Sequence, residues 1–257
     1  MIFKNLFNPF KKLVSLIEKK EYENAMQHIF LNPDLSKQNY FMHVCAYSKN
    51  FDLINFALKY KPSFSCSDED FNPLHFLAHL GSFLYESKSG HGLDFVTVPY
   101  EYNNLGKHRY SYRLKHKYFD PRCIKLLDKK REYMYQIKGV SSLAPIDICL
   151  NQLNVVGFKD FLDNGINLKK LIKIKKKNNA WRYEQFDIGD QYYFANLVET
   201  TDEVSKSNLD KVYALYNLIS SQGLKINLVK IDKFLKANDY PTRTRNSLIS
   251  NFKKLIR

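Results

Sequence analysis

A short helical motif recurs along the chain, and its spacing constrains the fold more than any other feature. The clearest copy, residues 144–167, begins Ala-Pro-Ile-Asp-Ile-Cys-Leu and runs through Val-Val-Gly-Phe-Lys-Asp-Phe-Leu to a loop that contains Gly165. Weaker copies occupy residues 40–65 and 72–83, and their starts lie about one 33-residue period apart. The full pattern predicts a short helix, a tight turn and a longer helix. Such pairs are predicted to stack, because a single pair cannot bury its apolar face alone.

The motif resembles the ankyrin repeat, whose signature is Thr-Pro-Leu-His-x-Ala. Residues 72–75 read Asn-Pro-Leu-His, with asparagine in place of the threonine, and Ala144 takes that position in the clearest copy. The resemblance implies an all-α, ankyrin-like helical-repeat solenoid without catalytic residues, which binds other proteins on its concave face and at its loop tips. If pairs stack in this way, six side chains should be buried between them: Leu74, Ala78, Ile146, Cys149, Phe158 and Leu162.

The chain is predicted to divide into two regions. Residues 1–168 would hold the ankyrin-like repeats, with an N-terminal helical cap formed by apolar-periodic helices at 11–20 and 22–31. Residues 169–257 would hold a basic linker, a diverged helical pair and a C-terminal helical cap. A cap at each end suits a repeat protein, because its terminal repeats must expose a polar face.

A long insertion, residues 84–118, interrupts the repeat that begins at Asn72. The matching second helix is delayed and is predicted to run from residue 120 to about residue 138. Loops of this length inside a compact domain are usually functional or disordered. Enrichment in tyrosine, valine and phenylalanine predicts a β-hairpin here, with one strand at 93–98.

The insertion is also predicted to carry the partner-binding residues. Arginine and tyrosine interleave at 109–113, with lysine and histidine on both sides. The mixture suits nucleic acid, because phosphates attract the basic groups and bases stack on tyrosine. It equally suits a protein interface, where tyrosine and arginine are enriched among the strongest contacts, and a solvated hairpin without a partner is the third interpretation. The predicted contact residues are Tyr100, Tyr102, Lys107, Arg109, Tyr110, Tyr112, Arg113 and Lys117.

The formal net charge of +14 indicates either a lysine-rich surface that aids solubility or an acidic partner. An acidic partner would be nucleic acid, anionic lipid or an acidic protein face. The four cysteines are scattered without a Cys-x-x-Cys pair, so they are predicted to be reduced, in a cytoplasmic or other reducing compartment. We expect no signal peptide and no membrane span. The lysine-, asparagine- and isoleucine-rich composition is associated with AT-rich genomes, which suits a bacterial or viral effector delivered into a host cell.

Catalytic and metal sites are not predicted. His75 and His79 are four residues apart on one helix face and could hold a metal, but His75 occupies the signature position where ankyrin repeats use histidine for a structural hydrogen bond. His43 occupies the same position one repeat earlier. A nucleophilic cysteine has no recognisable base or oxyanion hole near it in the sequence, and no phosphate-binding glycine loop is present. We therefore expect no enzyme activity, no metal and no cofactor.

The sequence thus favours a non-catalytic protein-binding module that acts as an adaptor, an inhibitor or an effector-like protein. The alternative is a nucleic-acid-binding protein that uses the basic aromatic insertion. A protein partner with an acidic surface is the favoured interpretation of the charge.

Overall fold

The fold is predominantly α-helical, in agreement with the all-α class predicted from the sequence. The computed structural model describes residues 9–64, 72–79, 83–87, 93–97, 110–112, 119–128, 133–137, 143–177, 188–200 and 206–256. The chain forms two compact units, an N-terminal unit of Met1–Tyr133 and a C-terminal unit of Met134–Arg257. Among the described residues, no helix combines the length and apolar character that crossing a bilayer requires.

Six helices belong to the N-terminal unit, counted over its described residues. They are α1 (Pro9–Glu18), α2 (Tyr22–Leu31), α3 (Phe41–Tyr47), α4 (Phe51–Leu58), α5 (Pro73–Ala78) and α6 (Arg122–Leu127). Consecutive helices pack as the pairs α1/α2, α3/α4 and α5/α6. The first helices of neighbouring pairs also contact one another, α1 with α3 and α3 with α5, and so do the second helices, α2 with α4 and α4 with α6.

Seven helices belong to the described part of the C-terminal unit. They are α7 (Pro145–Asn151), α8 (Val155–Asp163), α9 (Leu168–Lys177), α10 (Tyr192–Thr200), α11 (Lys206–Ser221), α12 (Leu228–Ala237) and α13 (Thr242–Leu255). The pairs here are α7/α8, α10/α11 and α12/α13. First helices again contact first helices, α7 with α10 and α10 with α12, and α8 contacts α11.

Asparagine side chains begin several of these helices. Asn50 Oδ1 accepts the Leu53 N–H at 2.8 Å at the start of α4, and Asn154 Oδ1 accepts the Gly157 N–H at 3.0 Å at the start of α8. Asn72, which takes the place of the signature threonine, begins α5 in the same way, and its Oδ1 accepts the Leu74 N–H at 2.9 Å. These bonds satisfy amide groups that have no partner within the helix.

Five of the six side chains predicted to be buried are buried: Leu74, Ala78, Ile146, Cys149 and Phe158. The prediction for Leu162 is wrong, because this side chain is only partly buried. The core face of α8 is set by Gly157, Phe158 and Phe161, and Leu162 lies about a quarter turn from the centre of that face at roughly 100° per residue.

The insertion contains a small antiparallel sheet whose strands are described by their backbone. Strand β1 (Phe83–Ser87) pairs with β2 (Leu93–Thr97) on one side and with β3 (Tyr110–Tyr112) on the other, in the order β2-β1-β3. The strand predicted at residues 93–98 corresponds to β2. The pairing of β1 with β2 is the hairpin that the aromatic and β-branched composition predicted.

Two predicted boundaries differ in the structure. The delayed second helix ends at Leu127 and does not continue to residue 138, because Asp128 leaves the helical conformation and its side chain accepts the Tyr133 N–H at 2.8 Å. The basic run after residue 168, predicted as a linker, begins with the ten-residue helix α9. This helix forms the centre of the candidate site.

Candidate functional site

Helix α9 separates its lysines from its apolar residues. Its buried residues are Leu168, Leu171, Ile172 and Lys175, which recur at the three- and four-residue spacing of one helix face. The other lysines project from the opposite side and are exposed: Lys169, Lys170, Lys173, Lys176 and Lys177. At about 100° per residue these five fall within an arc of roughly 120°. We call them the α9 lysine face.

A buried ion pair ties α9 to the start of α7. Lys175 Nζ lies 2.6 Å from Asp147 Oδ2, and the two side chains are 1% and 0% exposed. The ammonium group also lies 4.6 Å from the centre of the Tyr192 ring and donates to the Tyr192 hydroxyl at 3.3 Å. Asp147 Oδ2 additionally accepts the Ala144 N–H at 2.7 Å. An ammonium group in this position needs an opposite charge, because burial without one is strongly unfavourable.

The ion pair fixes the rotation of α9 about its own axis. If the helix turned to expose Lys175, it would leave Asp147 buried without its counter-charge. The α9 lysine face is therefore held outward by an interaction on the opposite side of the same helix.

A groove of about 420 Å³ lies beside this face, within the C-terminal unit. Ile172 and Leu224, both largely buried, contribute apolar surface to it, and Lys169, Lys173 and Lys225 contribute ammonium groups. The remaining lining residues are Asp190 and Gly223. This combination of apolar surface and a few charged groups is typical of a binding site for a ligand of defined chemistry.

The turn that forms one wall of the groove is held by Gln191. The side chain of this buried residue donates to the Lys225 carbonyl at 2.9 Å and accepts the Asn227 N–H at 2.6 Å. Gly223 adopts a φ of +72°, and a methyl group built on it would lie 3.0 Å from Lys169 Nζ. Glycine is therefore favoured at position 223 for two reasons, the left-handed backbone and the close approach of Lys169 Nζ.

The groove is electropositive. Three of its lining residues are lysines, and the one acidic lining residue, Asp190, has the ammonium group of Lys230 3.9 Å from its Oδ1. Exposed like charges of this kind attract anionic groups and accelerate their association. The arrangement suits carboxylates or phosphates.

Most of the partner-binding residues predicted from the sequence lie outside the described residues. These are Tyr100, Tyr102, Lys107, Arg109, Arg113 and Lys117. Tyr110 and Tyr112 begin and end strand β3, where the backbone alone is described. Sequence reasoning noted the lysine run of α9 but not the groove, whose other wall comes from residues about 50 positions later. The three-four spacing of Leu168, Leu171 and Ile172 was the available signal.

His75, one of the two histidines weighed as metal ligands, and His43, at the same position one repeat earlier, make other contacts. His75 Nδ1 accepts the Asn72 N–H at 3.2 Å, which is a structural use of the ring, and the His43 ring packs edge-on against Phe76 at 5.1 Å. Over the part of the chain that is described, no group of three histidine, cysteine, aspartate or glutamate side chains is placed to hold a metal. Cys45, Cys123 and Cys149 are buried free thiols, and burial raises the pKa of Cys123 to about 12.

No family model, curated protein or solved structure matches the chain.

Proposed function

We propose that this protein is a non-catalytic binding module with an ankyrin-like helical-repeat architecture. The pattern of helix contacts supports the proposal. First helices pack on first helices in both units, and second helices pack on second helices throughout the N-terminal unit and between α8 and α11, as stacked helical pairs do. The starts of α5 and α7 also share a proline at the first position and a side chain at the third position that accepts a backbone N–H from before the helix.

The partner we propose is a protein with an acidic surface, bound through the α9 lysine face. The observation that carries this proposal is the set of five exposed lysines on a helix whose rotation is fixed by the buried Lys175–Asp147 pair. A fixed array of like charges selects an oppositely charged surface and raises the association rate. By covering such a surface, the protein would act as an adaptor, an inhibitor or an effector.

We further propose a reducing compartment, the cytoplasm of the source cell or of a host cell. The three buried thiols Cys45, Cys123 and Cys149 support this, since each fills a core position as a free cysteine.

Charge reversal on α9 tests the binding surface. The probe is fluorescently labelled poly-L-glutamate, measured by anisotropy against the full chain at low salt. The triple variant Lys169→Glu/Lys173→Glu/Lys176→Glu should lose most binding, because the array that attracts carboxylates becomes repulsive. The matched control is Lys233→Glu/Lys236→Glu/Lys253→Glu, three exposed lysines of α12 and α13 in the same unit.

The two triple variants change the net charge equally, so net charge alone cannot separate them. The control should keep most of the wild-type affinity. Equal losses in both variants would mean that poly-glutamate senses total charge, and the α9 lysine face would then have no special role.

Nucleic acid is the second candidate, favoured by the alternation of arginine and tyrosine at residues 109–113. The test is the variant with alanine at Arg109, Tyr110, Tyr112 and Arg113, probed with a single-stranded oligonucleotide. If the insertion binds nucleic acid, the affinity should fall by about 2–4 kcal/mol, the scale of a few strong contacts. Wild-type affinity should also decrease linearly with salt on a log–log plot. Unchanged binding by the variant would exclude the insertion as the contact surface.

A further inference from the structure

We infer that the groove between α9 and the 223–225 turn binds an apolar side chain that lies next to acidic residues in a segment of the partner. The inference rests on the proposed function, because it assigns a specific contact within the acid-binding surface. It names the partner segment by chemistry: a short peptide in which one aliphatic residue is flanked by carboxylates.

The size and lining of the groove indicate more than a simple anion site. A volume of about 420 Å³ falls in the range of roughly 300–1,000 Å³ that is usual for ligand pockets. A single carboxylate would leave most of that space open. Ile172 and Leu224 give the occupant an apolar surface to cover, and burial of apolar area is the main favourable contribution to such contacts.

The charges around the groove determine where the acidic residues of the segment lie. Lys169, Lys173 and Lys225 can each donate a charge-assisted hydrogen bond to a carboxylate oxygen. Asp190 would repel a carboxylate placed beside it, so the acidic groups lie toward the three lysines. A peptide with carboxylates on both sides of an aliphatic residue satisfies these conditions together.

The wall of the groove is already formed in the free protein. Gln191 holds the turn through Lys225 and Asn227, and Gly223 leaves room for the ammonium group of Lys169 close above the turn. A preformed site loses less conformational entropy when its ligand binds.

An acidic peptide fits the lining better than a nucleic acid. None of the seven described residues that line the groove is aromatic. Single-stranded nucleic acids are held largely by stacking of bases on aromatic side chains, and this groove provides no such surface.

Three probes test the inference on the full chain: a fluorescein-labelled Glu-Glu-Leu-Glu-Glu peptide, the same peptide with alanine in place of leucine, and a single-stranded oligonucleotide of equal charge. The leucine peptide should bind about tenfold more tightly than the alanine peptide, the usual scale for a small apolar difference in a pocket. Equal affinity for the two peptides would overturn the inference but leave the α9 lysine face as an acid-binding surface.

Two double variants test whether the preference for the leucine peptide arises in the groove. Lys173→Glu/Lys225→Glu reverses two lining charges, whereas Lys170→Glu/Lys177→Glu reverses two exposed lysines on the side of α9 away from the groove. The first should weaken leucine-peptide binding at least about tenfold and remove the leucine preference. The second should weaken both peptides by the same smaller factor and keep that preference.

Three other results would each contradict the inference. A leucine preference that survives in the groove variant, with circular dichroism showing both variants folded, would place the apolar contact elsewhere. Failure of the wild type to bind either peptide would reject the proposed function together with the inference. Tighter binding of the oligonucleotide, lost in the groove variant, would replace the peptide with a nucleic acid.

Discussion

The two units each bury a lysine side chain, but they neutralise it differently. In the N-terminal unit, Lys49 Nζ donates to the backbone carbonyls of Leu77 and His79, at 2.6 and 2.7 Å, where α5 ends. In the C-terminal unit, Lys175 forms an ion pair with Asp147 near the start of α7. Carbonyl dipoles at a helix C-terminus carry partial negative charge, whereas a carboxylate carries a full one.

The two units also differ at one position of the repeated motif. The third residue of α5 is His75, whose Nδ1 accepts a backbone N–H and therefore carries no proton. The third residue of α7 is Asp147, which accepts the equivalent backbone N–H with a carboxylate. A buried carboxylate requires a cation, and Lys175 supplies it. The helix that carries Lys175 also presents five lysines to solvent. The proposed binding face therefore lies on the helix that is paired with Asp147 at the third position of α7.

The largest effect is expected when the ion pair is broken on one side. Lys175→Met leaves Asp147 buried without its counter-charge and should destabilise the protein by about 3–5 kcal/mol. Urea unfolding followed by circular dichroism measures the change. Because the pair is buried, raising the salt concentration should barely alter the difference between variant and wild type.

The control variant introduces at position 147 the histidine that stands at the equivalent position of α5. In Asp147→His/Lys175→Met, a neutral ring can accept the Ala144 N–H as His75 accepts that of Asn72, and no buried charge remains. The double variant should recover most of the stability that Lys175→Met loses. A double variant as unstable as the single one would show that charge compensation is not what relates Asp147 to Lys175.

A smaller effect is expected in the N-terminal unit. Lys49→Met removes the donor to the Leu77 and His79 carbonyls and should cost about 1–3 kcal/mol, because neutral acceptors are cheaper to leave unbonded than a carboxylate. The same urea titration measures it. Lys59→Met, at an exposed lysine above the Phe56 ring, is the control and should be nearly neutral. A Lys49→Met cost equal to that of Lys175→Met would remove the distinction between the units.

Local features of both units could be predicted from the sequence, because they depend on neighbouring residues. Asn72 and Pro73 indicated the start of α5, and the helix there begins as expected. The loop that contains Gly165 follows the second helix of the clearest copy, as the motif predicted, and Gly165 has a φ of +94° there. Spacing alone placed five of the six predicted core side chains correctly.

Features that depend on distant residues were missed. Lys175 stands in a run of lysines that looks solvated, and its buried partner Asp147 lies 28 positions earlier. The groove joins α9 to a turn that the two hydrogen bonds of Gln191 help to hold. The spacing of Leu168, Leu171 and Ile172 indicated one buried helix face, but it identified neither the partner of Lys175 nor the turn on the other side of the groove.

Helix ends give a third comparison between the units. After α8 the left-handed residue is Gly165, whereas after α4 it is Lys61, with a φ of +49°, just before Pro62. Gly165→Ala should destabilise by about 1–2 kcal/mol, since an L-residue is disfavoured there. Because no neighbouring atom lies within 4 Å of the position that a Cβ would take at Gly165, this loss of stability comes from the backbone conformation alone.

Lys61→Gly is the reciprocal change, and it relieves the same kind of backbone strain. It also makes the unfolded chain more flexible, so the net change in the free energy of unfolding should be within a few tenths of a kcal/mol of zero. Thermal unfolding of both variants measures these two changes in stability. Destabilisation by Lys61→Gly as large as that of Gly165→Ala would show that the Lys61 side chain, and not its backbone, stabilises that end.

A pH-dependent effect contrasts two carboxylates. Asp147 has Lys175 beside it, whereas Glu18 in α1 is half-buried and its Oε1 has no hydrogen-bond partner among the described residues. Burial raises the pKa of Glu18 from 4.5 to about 7, against a smaller opposing effect of Lys19. Since the folded-state pKa is raised, the protonated form favours folding below about pH 4.5, and that contribution is lost as the pH rises through 7.

Glu18→Gln removes this titration. Glutamine resembles the protonated acid, so the variant should match the wild type near pH 4 and exceed its stability at pH 8 by about 1 kcal/mol, a figure already reduced for solvent screening at a half-exposed group. Urea midpoints measured from pH 4 to pH 8 test this prediction, with Glu21→Gln, an exposed neighbour, as the control. A constant difference between Glu18→Gln and the wild type across that range would mean that Glu18 ionises normally. The contrast with the paired carboxylate of the C-terminal unit would then disappear.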